Sequence, residues 1–406
     1  MRKETGSRMF PVMFRFALLA VVLPAVLQAQ RAIRPDTNNG RRVIEEFDRA
    51  LAGSTAESLD CRVQVGKPRL TYSFRHLATY EAAVPVSELD PAGTVLTTMF
   101  RVTPKQGGQP GYFRQTLRIG KIPAKVNSKF LAVADGGFFV GEGEYQVDWL
   151  LRDHRGRACR KEWSVKVRAK DKDRPQPLAP GTVTSVQLDQ WGETASRENR
   201  PFRVALMLHA APTRLLGHTL TRVDQSLLVG MLISLLEETP FVETSVTAFN
   251  LNQQKELFHT ERLDMKEFTK LADCLDELEL GTIDLQVLER PTGDVELLAN
   301  MLKRELKSPD PPDAVVFVGP KFLDESNVSE SILDVVSEPK PLVFYLRQDY
   351  YPRLFIQDTI EKLTKRLKGK VFRVSSPEEL AKAIREMEER LKERRAALHP
   401  AGPSGE

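Results

Sequence analysis

The stretch Phe202-Arg-Val-Ala-Leu-Met-Leu-His-Ala-Ala-Pro212 decides the fold. Its apolar residues run unbroken from Val204 to Leu208 and stop at His209, with Pro212 closing the segment. A strand without polar alternation is buried on both faces, as in the centre of a sheet covered by helices. A turn and a helical pattern follow. Leu220, Val223, Leu227, Met231 and Leu235 recur near a 3.6-residue period across 220–238.

Downstream the alternation repeats. Glu243–Phe249 reads as a strand, Met265–Leu278 as a helix, Thr282–Leu288 as an extended segment, and Val295–Leu306 as a helix. Ala314–Val318 and Leu342–Leu346 are further apolar strands, Asp358–Leu367 is helical, and Val371–Val374 is a short last strand. Ser376-Pro-Glu-Glu379 then starts the final helix, with Ser at the cap, Pro at the first position and Glu three residues after the cap. Buried strands separated by helices predict an α/β domain over 201–396, a Rossmann-type, doubly wound and mostly parallel sheet. The closing residues 397–406 are expected to be disordered.

Upstream, over 59–170, the period changes to two. Leu70, Tyr72 and Phe74 alternate with polar residues, and Ala82, Val84 and Val86 fall on one face. Val95–Val102 and Tyr112–Ile119 are strand candidates. Tyr145–Leu151 and Cys159–Val167 form a hairpin through Asp153-His-Arg-Gly156. Gly136-Gly137 and Gly141-Glu-Gly143 read as turn glycines. Short strands with little helix predict a β-sandwich. The Gly-Glu-Tyr entry to the last hairpin resembles immunoglobulin-like modules of exported bacterial proteins. Residues 171–200, rich in Pro and charge, are the linker, and Val183–Trp191 adds a strand to one of its neighbours.

At the amino end, Arg2, Lys3, Arg8 and Arg15 precede the apolar run Phe16–Leu27, and small residues stand near a cut after Ala29. Basic flank, short apolar run and small-residue end describe a signal peptide over 1–29, hence a periplasmic or extracellular protein. An uncleaved segment would instead act as a membrane anchor. The polar segment 30–58 carries a turn signal at Asn38-Asn39-Gly40 and a short amphipathic helix at Arg41–Leu51.

Composition excludes several classes. Net charge is +4, and Lys and Arg are interleaved with acids along helices, which argues against nucleic acid as a partner. The three cysteines form no CxxC or Cys/His cluster, so no structural zinc is expected. Cys61 and Cys159 fall in one β domain and are candidates for a disulfide; the alternative is two buried thiols. No G-x-S-x-G, H-E-x-x-H, P-loop or G-x-G-x-x-G motif occurs. No cofactor is expected.

The run Asp358-Thr-Ile-Glu-Lys-Leu through Gly369-Lys-Val-Phe-Arg-Val to Ser376-Pro-Glu-Glu-Leu380 resembles the carboxy-terminal end of a von Willebrand factor A (VWA) domain, and the order of strands and helices from Phe202 onward agrees with that family. The resemblance implies a metal site made from an acid-x-Ser-x-Ser turn, a later Thr and an Asp after a central strand, binding a hard divalent cation. Here the first turn reads His209-Ala-Ala211-Pro-Thr213, and the central strand ends Gly319-Pro320-Lys321. Thr282 or Thr292 could stand for the later Thr. The metal site is therefore read as degenerate. A transition metal held by His209 with His218 or His259 is a lesser expectation.

The candidate ligand edge is His209, Thr213, Thr292 and Lys321, at the carboxyl ends of the strands, where α/β sheets place ligands. The function expected is protein interaction or scaffolding, without catalysis, with an unidentified protein partner in the cell envelope or outside the cell. Two alternatives stand beside it. One is a hydrolase or small-ligand-binding protein with a site around His209, where Asp224, Asp349 and Lys321 could converge. The other is a purely structural envelope component.

Overall fold

The structure is a computed structural model, and it describes residues 26–53, 57–123, 130–168, 175–186, 201–213, 220–276, 278, 290, 292–322, 340–349 and 358–398. Among them, the amino-terminal half holds strands β1 (Val26–Ala32), β2 (Arg62–Val65), β3 (Arg69–Leu70), β4 (His76–Pro85), β5 (Thr94–Pro104), β6 (Gly111–Ile119), β7 (Leu131–Val140), β8 (Gly143–Asp153), β9 (Ala158–Val167) and β10 (Val183–Ser185), with helix α1 (Asn38–Ala52). One antiparallel sheet runs β1-β6-β5-β8-β9 and the other β10-β7-β4-β2, with β3 on β4. The inward residues of both make one core, in which Tyr80 meets Phe100 and Trp149 edge-on at 5.3 and 5.7 Å. This is a β-sandwich. Cys61 and Cys159 are bonded, their Cα atoms 6.1 Å apart, which ties the β2 side of one sheet to edge strand β9 of the other. The pairing fits an oxidising compartment.

Several local readings change. Strand β1 begins before the expected cut after Ala29, so that cut falls inside it. Asn38-Asn39-Gly40 opens α1 rather than making a turn, because the Thr37 hydroxyl accepts the Gly40 N–H and caps the helix there. Helix α1 packs by Phe47 on Leu150 and Ala158. Gly136-Gly137 lie inside β7. A Cβ at Gly136 would sit 2.4 Å from the Tyr80 hydroxyl and 2.7 Å from Gln30 Oε1, and Gln30 Nε2 donates to the Gly137 carbonyl at 2.6 Å. Close approach of side chains, not a turn, calls for those glycines. After Leu70 the alternation does not continue as a strand. Residues 72–74 form a turn, with Phe74 at φ +55°. The linker strand β10 joins the β-sandwich by pairing with β7.

The second half holds β11 (Phe202–His209), α2 (Arg222–Glu238), β12 (Phe241–Asn250), β13 (Lys255–Thr260), α3 (Met265–Asp276), α4 (Gly293–Leu306), β14 (Ala314–Pro320), β15 (Leu342–Gln348), α5 (Thr359–Arg366), β16 (Lys370–Val374) and α6 (Pro377–Leu398). Their sheet runs β13-β12-β11-β14-β15-β16. All neighbours are parallel except the β12–β13 hairpin. Both faces are covered. Val204, Leu206 and Leu208 of β11 pack with α2, α3 and α6, while Ala205 and Met207 pack with α4 and α5. The α/β expectation holds at this level, with β11 inside the sheet. The sequence reading passed over β13, whose half-exposed residues carry no apolar period. The expected extended segment at 282–288 lies outside the described residues.

Candidate functional site

The strand order reverses between β11 and β14, so the crevice of this α/β sheet lies where their carboxyl ends meet. His209 closes β11 there and is buried, 1% exposed. Its Nδ1 is 3.1 Å from the Pro320 carbonyl at the end of β14. A carbonyl only accepts, so Nδ1 carries the proton and Nε2 is left with a lone pair. Among the described residues Nε2 has no hydrogen-bond partner. The ring stacks on Phe249 with centroids 5.4 Å apart and meets the edge of Phe322 at 5.9 Å. Burial in this setting pulls the imidazole down to about 4 against the hydrogen bond to Pro320, so it is neutral at pH 7.

Gly319 permits this closeness. It sits at φ +148°, and a Cβ there would lie 2.6 Å from the His209 carbonyl oxygen. The Tyr345 hydroxyl, buried on β15, donates to the same Pro320 carbonyl at 3.0 Å. Burial raises the Tyr345 hydroxyl, and neighbouring Asp358 adds to the effect. Asp358 caps α5 by accepting from the Ile360 N–H at 3.0 Å. Burial pushes its carboxyl up to about 6, against the Tyr345 hydroxyl, the helix amides and Arg347. On the β12 side Asn250 donates to the Ala210 carbonyl at 2.6 Å.

The other edge residues have their own partners. Thr213 donates its N–H (3.0 Å) and hydroxyl (2.6 Å) to Asp224 Oδ1. Asp224 Oδ2 accepts the N–H and hydroxyl of Thr221, completing a capping box at the start of α2. Burial raises the Asp224 carboxyl, but these bonds outweigh it and hold the group below the usual range. Lys321 Nζ lies 3.4 Å from Asp349 Oδ1, and Arg347 donates to Asp349 Oδ2 at 2.7 Å and also to Glu361. Thr292 stands exposed before α4, where its hydroxyl donates to Glu296 at 2.9 Å.

The structure thus brings His209 to Pro320, next to Lys321, and places Thr213 on the loop after β11. Asp224 and Asp349 are engaged with the threonines and the cations, while His209 meets Pro320, Phe249 and Phe322. His259, on edge strand β13, pairs with Thr247 and Arg304 at 3.0 Å. His218 and Thr282 lie outside the described residues. Sequence reasoning missed Asn250, Tyr345 and Arg347. The last had a signal: Arg347 and Gln348 continue the apolar run of β15 and are both buried.

Chemically, the crevice offers a neutral imidazole, a proline carbonyl already accepting two bonds, and cations matched to acids. A hard divalent cation calls for several free oxygen donors, carboxylates above all. At this edge the His209 side chain offers no oxygen, and the Thr213 hydroxyl is spent on Asp224.

No protein-family model matches this chain, and no curated protein matches it either. Solved structures give distant likenesses. A superoxide reductase (neelaredoxin) from Archaeoglobus fulgidus is 12% identical, with 29% of this chain and 96% of that one covered at a TM-score of 0.19. A putative ApaA protein from Bordetella pertussis is 10% identical, with 28% and 97% covered at 0.17. A family 2 glycosyl hydrolase from Bacteroides cellulosilyticus is 8% identical, with 72% and 40% covered at 0.19. Scores this low carry neither fold nor activity over to this chain.

Proposed function

We propose that this is an exported, non-enzymatic protein-interaction or scaffold protein, built from an immunoglobulin-like sandwich and a VWA-like domain whose metal site is degenerate. The observation that carries this reading is His209. Its ring is buried at the carboxyl end of β11, stacked on Phe249 and bonded to Pro320, where the family resemblance puts an acid. The alternation of strands and helices from β11 onward, helices on both faces, supports the resemblance. Recognition of a protein partner then rests on the shape and charge of the carboxyl edge, with no shared cation. The Cys61–Cys159 bond supports a site in the cell envelope or outside the cell.

Isothermal titration of the purified exported protein with magnesium, manganese, calcium and zinc tests this. The expected result is no binding heat at millimolar concentrations. One-to-one binding of any of these ions would overturn the degenerate-site reading.

One observation favours a second reading, a small ligand that donates a hydrogen bond to His209 Nε2, which has no partner among the described residues. His209→Phe preserves the aromatic packing and deletes that lone pair. Under the scaffold reading it leaves partner binding within twofold. Under the second reading it abolishes ligand binding.

A further inference from the structure

Helix α2 carries a glycine at its middle, Gly230, on a face that is buried. Glycine in a helix interior costs roughly 1 kcal/mol relative to alanine, so its place there asks for a reason. The reason lies in the other domain. An ideal Cβ on Gly230 would meet the Tyr72 Cβ at 3.3 Å and the Ser73 nitrogen at 3.5 Å, and its three nearest neighbours all belong to that turn. Tyr72, Ser73 and Phe74 are 4%, 6% and 2% exposed. Although they lie between β3 and β4 of the sandwich, Tyr72 and Phe74 belong to the hydrophobic core of the α/β domain, with Leu228, Met231, Leu232 and Leu235 of α2.

The turn is built to hold this shape. Phe74 is in the left-handed region at φ +55°, a conformation that is uncommon for aromatic residues and persists where surrounding contacts over-determine it. The Phe74 N–H donates to the Thr71 carbonyl at 3.0 Å, and the Thr71 N–H and hydroxyl both donate to the Arg75 carbonyl at 2.9 Å. Polar contacts then fasten the turn to the helix. Ser234 Oγ donates to the Tyr72 carbonyl. Arg75 Nη2 reaches both oxygens of Glu237 at 2.8 and 3.1 Å, with the two side chains 19% and 22% exposed.

From these contacts we infer that the Thr71–Arg75 turn is an interdomain latch: it inserts Tyr72 and Phe74 into the core of the α/β domain, so that the sandwich and the sheet form one cooperative unit and present the carboxyl edge as a rigid body. Helix α2 joins the two ends of this arrangement. Its last turn holds Arg75 through Glu237, and its first turn holds the loop after β11 through Asp224 and Thr213.

Scanning calorimetry of the full exported protein tests the latch. The wild type is expected to unfold in one transition whose van 't Hoff and calorimetric enthalpies agree. Gly230→Leu is the discriminating variant. In a helix without the latch, leucine favours the helix and raises the melting temperature. Against the latch it expels Tyr72, and the single transition divides in two. Arg75→Glu is expected to lower the melting temperature, and the exchange Arg75→Glu with Glu237→Arg to restore it; this pair decides the question should Gly230→Leu not fold. Two transitions in the wild type, a more stable Gly230→Leu, or an exchange variant no better than Arg75→Glu would each overturn the latch.

Discussion

Burial gives His209 and Asp358 opposite effects on stability as the pH falls. The imidazole goes from an ordinary value of 6.5 down to about 4 in the fold, and the carboxyl from 3.8 up to about 6. Between about 6.5 and 4 the unfolded chain binds a proton at this histidine and the folded chain does not, so acidification removes stability. Between about 6 and 3.8 the folded chain binds a proton at Asp358 and the unfolded chain does not, so acidification adds stability. Each shift corresponds to roughly 3 kcal/mol, and the two windows nearly coincide. Wild-type stability should therefore be nearly flat in these two groups from pH 6 to 4. Asp358→Asn keeps the helix cap and deletes the titration. This variant should lose about 2–3 kcal/mol between pH 7 and pH 4.5 relative to wild type, measured by urea unfolding at both values. An equal pH dependence in the two proteins would refute the compensation. His209 was legible in the sequence as a polar end to an apolar strand. Its partner was not, because Pro320 is far along the chain and reaches it only through parallel pairing of β11 with β14.

Helix α2 is the element on which the site and the domain junction both depend. Its start is set by Thr221 and Asp224, which cap each other, and the same carboxylate holds Thr213. Asp224→Ala keeps the Thr221 cap on the residue 224 N–H but removes the carboxylate half of the capping box, and leaves the hydroxyls of Thr213 and Thr221 without that acceptor. A loss of about 2 kcal/mol is expected, together with faster amide exchange at Thr213 and across the first turn of α2. Exchange unchanged from wild type would mean that this carboxylate does not organise the edge. Elements with an unbroken apolar run, such as β11 and β14, and the capped α6 could be read directly, whereas α2, read as apolar on one face, is buried throughout 228–236 and leaves Val223 of that face exposed. Strands β7 and β13 were missed. In β7 Gly136 makes room for Tyr80 and Gln30 and Gly137 for the Ala78 carbonyl; in β13 the strand is an edge, half-exposed and without alternation. Neither condition leaves a local periodicity.

Across the whole molecule, two long-range links stand out. The disulfide joins residues 98 apart in sequence and spans the two sheets of the sandwich. Constraining a loop of that size in the unfolded chain stabilises by about 4 kcal/mol. Replacing both cysteines with serine should cost about that much in urea unfolding, and reductant should bring the wild type to the same midpoint. A reduced wild type as stable as the oxidised protein would remove the cross-link from the account. The second link is the Tyr72–Phe74 turn, which makes the α/β core partly a product of the β domain. Cysteine spacing allowed the first link without settling it. The second was hidden by its own alternation, since Leu70, Tyr72 and Phe74 fit a strand pattern equally well.

What the sequence determined by itself was whatever depends on local periodicity and local chemistry: period two then period 3.6, the order of buried strands and helices, and the helix cap at Ser376. Tertiary structure alone decided which partners those residues took. His209 turned to Pro320, Thr213 to Asp224, Lys321 to Asp349, and Tyr72 to the other domain. The physical reason is the same each time. A pattern along the chain specifies which face of an element is buried, whereas contacts between elements depend on strand order and register, which no single segment encodes.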